Sequence, residues 1–250
     1  MRIVKIMSGF VLLFILYHAA EYMILFQNSP AGFLGFQFLF FIAAWLVGRW
    51  QTGKGLAGWG LNRGKGFLME LLVGITMGMA LYGAVFLIGL AIGSEKIIQI
   101  PFFASIAGPL FLFVFGNFFS SLSEDILTRG YVYYHLKEKI PLQLIAIISA
   151  LIYLLNHIYR IKDGPQAWIY LFALGVLFVI PLLVTKRLWF TGGMHWAGNC
   201  VFFYTHQIVG TTNGPLHFSF NYLLVIWIVV LVLPTYFIAR SFREGLNHEQ

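Results

Sequence analysis

The chain has 250 residues, of which 60% are hydrophobic, 18% aromatic and only 10% charged; with a mean hydropathy of +0.83, this excludes an ordinary water-soluble domain and predicts a polytopic membrane protein. The formal net charge is +7, yet the basic residues are dispersed between apolar runs and form no stripe for phosphates, which excludes a nucleic-acid partner. The one cysteine, Cys200, has no partner for an internal disulfide and lies in an apolar run where it is expected to be inert.

Apolar runs of spanning length occur at roughly 7–26, 32–48, 67–92, 106–136, 141–159, 168–184, 188–206 and 222–239, predicting an all-α integral membrane bundle of about eight transmembrane helices. The first run follows a basic start but precedes no small-x-small cleavage site, so it is expected to be helix one. In it His18 and Glu21 are three apart on one face and can pair with each other or with another helix. The segment 49–66, rich in Gly and basic residues beside Trp50 and Trp59, suits a stretch lying at the headgroups. In helix three, Gly74 and Gly78 have the spacing that lets two helices approach closely.

Helix four is expected to begin after Pro101 and to stay apolar to Lys137, which places Glu124 roughly 20 Å and Arg129 about 12 Å from its inner end. Counting the segments between helices alternately, thirteen basic residues fall on one side and three (Lys96, Arg160 and Lys162) on the other. That bias predicts both termini in the cytoplasm. With no repeat or linker, the chain divides only loosely into helices one to three with their basic loop (1–100), a core of helices four to seven (101–206), and a last helix with its tail (207–250), all within one integral domain.

Ionisable groups at membrane depth are candidates for function. Asp125 and Arg129 are i,i+4 in the favourable acid-before-base order, while Glu124 sits about 100° round and is unpaired. Helix five carries Tyr153 and His157 at i,i+4, with His157 about 24 Å from the inner end; helix seven carries His195 and Asn199 at the same spacing, about 14 and 20 Å in. Glu124, His157, His195 and Asn199 thus have overlapping depths and are expected to share one cavity. His135, His206, His217 and His248 fall at helix ends or in loops and are expected at the surface.

These stretches resemble the CAAX-protease and bacteriocin-processing (CPBP) family of intramembrane proteases, which includes the type II prenyl-protein endopeptidases. The family pattern of Glu-Glu-x-x-x-Arg, Phe-x-x-x-His and His-x-x-x-Asn on successive core helices is similar to Glu124-Asp125-x-x-x-Arg129, Tyr153-x-x-x-His157 and His195-x-x-x-Asn199 here, over about residues 105–205. Asp125 stands in place of the second glutamate, one methylene shorter, and Tyr153 in place of phenylalanine.

Peptide hydrolysis needs a base for the water, donors for the oxyanion and an acid for the leaving amine. In a low-dielectric cavity Glu124 suits the base that later returns the proton, His157 the holder of the water, and His195 with Asn199 the oxyanion donors, a division of labour the resemblance also implies. Asp125 with Arg129 would hold the helix. A zinc version using Glu124, His157 and His195 is the second reading, although no His-Glu-x-x-His helix is present and the metal-free glutamate mechanism is preferred. A transporter or a non-catalytic immunity or partner protein is the non-enzymatic alternative. The resemblance implies a lipidated or membrane-embedded peptide substrate, surrounding membrane lipid as partner, and a place in a bacterial cell membrane.

Overall fold

A computed structural model describes residues 2–216 and 218–247, so His217 and His248 lie outside the described residues. The protein is almost wholly helical, with α1 (Arg2–Leu25), α2 (Pro30–Thr52), α3 (Phe67–Ile92), α4 (Phe103–Leu136), α5 (Leu142–Asn156), α6 (Pro165–Thr185), α7 (Trp189–Phe203) and α8 (Phe220–Asn247). Among the described residues six helices, all but α5 and α7, are long and apolar enough to cross a membrane. The expected integral membrane bundle of about eight helices is therefore what forms.

Local chemistry sets the ends. Ser29 caps α2, its hydroxyl accepting from Gly32 N at 3.1 Å ahead of Pro30 at the first helical position. Gly93, at φ 74°, stops α3 in the left-handed conformation that glycine adopts without strain. Inside α4 the residues Ile126–Gly130 form a π turn, a wider loop of backbone often found at functional sites.

Contacts at the helix ends fix the orientation. Lys5 Nζ donates to Trp50 O at 2.7 Å, Tyr131 OH to Ile6 O at 2.6 Å, and Arg187 Nη1 to Lys65 O at 2.9 Å. The starts of α1, α3 and α7 and the ends of α2 and α4 thus lie together, at the end of the bundle that also holds most of the basic residues. At the other end two strands absent from the sequence reading, β1 (Glu95–Gln99) and β2 (Gly210–Asn213), pair antiparallel, Glu95 opposite Asn213 and Ile97 opposite Thr211. Strands of 5 and 4 residues are too short to carry a period-two signal.

The tightest packing is between α3 and α7. A Cβ on Gly74 would strike Phe190 O, one on Gly78 would strike Met194 O, and one on Gly193 would strike Leu71 O. The small-residue spacing read from helix three therefore serves the close approach expected of it. Because the obstacle is backbone rather than a movable side chain, Gly78→Ala is expected to cost about 1–3 kcal/mol, read as a lower melting temperature in detergent. An unchanged melting temperature would mean that the two helices are not pressed together there.

Two apolar cores flank the site. One joins Leu81, Leu174, Phe178, Phe190 and Ile228, and the other joins Leu13, Phe40, Trp59, Ile126 and Leu127. The second core and the run Ser121–Val132, all buried, close the bundle between the site and the basic end.

Candidate active site

A polar stripe on α4, Asn117, Ser121, Glu124 and Thr128, follows the 4-3-4 spacing of one helix face. Glu124 is 4% exposed, and two helices supply its neighbours. From the end of α5, Asn156 Nδ2 donates to Oε1 at 3.3 Å and His157 Nδ1 lies 3.8 Å from the same oxygen. From α7, His195 Nε2 lies 3.5 Å from Oε2. Thr128 ties the turn beneath, its hydroxyl donating to Glu124 O at 2.7 Å.

Asp125, fully buried beside Glu124, holds two groups. It pairs with Arg129, as the i,i+4 spacing predicts, and it accepts from His195 Nδ1 at 3.1 Å. The second contact adds a partner on another helix to the pairing with Arg129 read from the sequence. Accepting at Nδ1 fixes which face of the imidazole turns outward, so Nε2 is the nitrogen presented to Glu124. Gly192 makes room for Leu122, whose Cδ2 would lie 2.6 Å from a Cβ there.

Arg129 is fully buried. Its guanidinium also donates to Thr128 Oγ1 at 3.0 Å and lies over the rings of Tyr153 and Phe178 at 4.7 and 5.2 Å. Phe178 in turn stacks on His195 with 4.9 Å between ring centroids. Tyr153, which stands where the similar pattern has phenylalanine, thus covers the arginine with its ring.

Two placements differ from the sequence reading. His157 was expected within a helix spanning 141–159; α5 ends at Asn156, and His157 is its C-terminal cap. The turn is held by its own side chain, because Nδ1 donates to Tyr153 O at 2.9 Å, and Gly164 and Pro165 then start α6. Asn199 was expected to share a cavity with Glu124, His157 and His195. Its Nδ2 instead donates to Asn117 Oδ1 at 3.4 Å and Ser121 Oγ at 3.5 Å, one turn farther from the basic end than His195. Asn199 and His157 nevertheless line one small cavity of about 60 Å³, together with Tyr82, Arg160, Tyr170 and Asn221. That volume holds roughly two waters, and it lies at the sheet end of the bundle.

His18 and Glu21 pair with each other at 2.8 Å, and Tyr17 OH donates to Glu21 Oε1 at 3.3 Å. His135 and His206 are half-buried rather than at the surface: His135 Nε2 lies 2.9 Å from Gln51 Oε1, and His206, stacked on Phe202, lies 3.4 Å from Glu95 Oε1. Sequence reading passed over Asn156, Asn117, Ser121 and the ion pair of Glu70 with Arg187 at 2.6 Å. The α4 stripe was the signal that would have found two of them.

No curated protein matches the chain. Residues 106–201 match a family model, type II CAAX prenyl endopeptidase Rce1-like, and that span holds Glu124, Asp125, Arg129, His157, His195 and Asn199. The segment that builds the site is therefore similar to the type II CAAX prenyl endopeptidases, the relationship to which the three sequence motifs pointed.

Proposed function

We propose that the protein is an intramembrane endopeptidase that hydrolyses a peptide bond of a membrane-associated or lipidated peptide with water activated by Glu124. The observation that carries this reading is a buried carboxylate faced from two other helices by His157 and His195 at 3.8 and 3.5 Å. Glu124 takes a proton from the water as its oxygen attacks the carbonyl carbon, and gives that proton to the amine nitrogen as the C–N bond breaks. His157, with Nδ1–H committed to Tyr153 O, keeps a lone pair on Nε2 with which its neutral ring holds the water. His195, its Nδ1–H held by Asp125, donates to the oxyanion from Nε2 as the imidazolium, and Asn199 Nδ2, turning from Asn117 and Ser121, is the second donor. Water arrives through the cavity at the sheet end, since the opposite side is closed by buried side chains. The test compares the membrane peptides of cells holding the wild type with those of cells holding Glu124→Gln. A peptide cut only by the wild type is expected, and identical peptide sets would defeat the proposal.

The chemistry is proposed to run without metal. Among the described residues no three His, Cys, Asp or Glu side chains are grouped to hold a metal ion. That favours glutamate as base over a zinc-bound water. The purified enzyme is expected to keep its activity after exhaustive chelation. Loss on chelation with recovery on added Zn²⁺ would overturn the metal-free mechanism and leave proteolysis standing.

The basic bias supports a proposed topology with both termini in the cytoplasm, and the resemblance supports a bacterial cell membrane as its place. A reporter fused after Gln250 is expected on the cytoplasmic side, and its appearance outside would reverse the orientation.

A further inference from the structure

A cavity of about 650 Å³, with no active-site residue in its lining, lies at the basic end between α5, α6 and α8. Its walls are apolar side chains of membrane-spanning depth: Leu142 and Ala146 from α5, Ile180 and Leu183 from α6, and Tyr236 from α8. Its rim is cationic, formed by Lys186, Arg240 and Arg243.

Lys186 is one of two non-glycine residues with positive φ among the described residues, at 63°, a conformation that an L-residue enters at a cost. It ends α6 there. One of its three donors goes to Leu183 O at 2.5 Å and the ammonium lies 5.3 Å over the Tyr133 ring, which also takes Lys137 at 5.8 Å. Burial, then Arg243 and Lys137, push the Lys186 ammonium below its usual range, as expected where like charges crowd without an anion between them. Arg240 is paired with Glu244 at 2.6 Å. The lining thus holds three cations, Lys186, Arg240 and Arg243, and one carboxylate, Glu244, a surplus of two positive charges.

We propose that this groove is a binding site for an anionic phospholipid, its phosphate held by Lys186 and Arg243 and its acyl chains lying along the α5, α6 and α8 walls. A soluble anion would satisfy the rim but leave the apolar walls uncovered. A zwitterionic lipid would cover the walls but bring its own cation to the rim. Phosphate and hydrocarbon together match both surfaces, at the depth where headgroups meet basic side chains.

The full chain is reconstituted in phosphatidylcholine nanodiscs with increasing phosphatidylglycerol, and the lipids that stay bound on release are counted by native mass spectrometry. Preferential retention of phosphatidylglycerol is expected. Each cation near the surface contributes a factor of about five, so Lys186→Gln with Arg243→Gln is expected to lower that preference about 25-fold. A matched pair from the other basic loop, Lys54→Gln with Arg63→Gln, which lines none of the groove, is expected to leave it within about twofold. Melting of the Lys186/Arg243 variant in pure phosphatidylcholine shows that it is folded. Equal retention of both lipids, equal loss in both variant pairs, or a phosphate-buffer arm that abolishes retention of phosphatidylglycerol would each overturn the site.

Discussion

Glu124→Gln is expected to give a folded protein whose proteolysis is slower by about 10²–10⁴-fold, the usual contribution of a positioned general base. The substitution keeps shape and volume in a site where Glu124 is 4% exposed. The amide oxygen can still accept from Asn156 Nδ2, which donates to Oε1 at 3.3 Å, so the neighbouring α5 end has no reason to move. Replacing a desolvated carboxylate by a neutral amide also removes a burial penalty, and the melting temperature should be unchanged or higher. Loss of activity with retained stability separates chemistry from folding. Activity within tenfold of the wild type would move the base elsewhere, with His157 the next group to test.

Asp125→Asn is expected to act first on stability. Removing the acid leaves Arg129 charged and fully buried with its ion-pair partner gone, which costs about 3–5 kcal/mol. In the fraction that still folds, the amide can offer either its oxygen or its NH₂ to His195 Nδ1, now 3.1 Å from Asp125 Oδ1, so the imidazole loses its fixed presentation and turnover falls, though less than for Glu124→Gln. Asp125→Glu restores the charge and the acid of the family pattern, and should recover most of the stability. Expression level and melting temperature read the first effect; kcat per folded molecule reads the second. Wild-type stability in Asp125→Asn would show that Arg129 finds its support elsewhere.

Helix number was legible because each span is a long apolar run, and the meeting of helices four, five and seven because residue counts convert directly into depth. Depth, however, says nothing about the direction a side chain faces around its helix. That is why Asn199, at the correct level, turns out to face Asn117 and Ser121, and why the second duty of Asp125 was unseen until His195 was placed beside it. Helix five was drawn past its end because Ile158 and Tyr159 continue the apolar letters, whereas a histidine bonded to a carbonyl four residues back stops the helix. The half-buried His206 depended on the short sheet that brings Glu95 to it, and nothing local in either segment announces that pairing.

The glycine-lined contact of α3 with α7 is pinned at its far end by β1 and β2, so the two helices make one stiff body. That body carries His195 and Asn199, while Glu124 and the cap of α5 with His157 stand on the other side of the divide. The site is therefore a joint between two parts rather than a recess within one. A joint translates small sliding into misalignment of the reacting atoms, where a shift of about 1 Å can cost 10²-fold in rate. A change in hydrocarbon thickness that slides one part against the other is therefore expected to alter the rate of the proposed hydrolysis without touching any of its atoms.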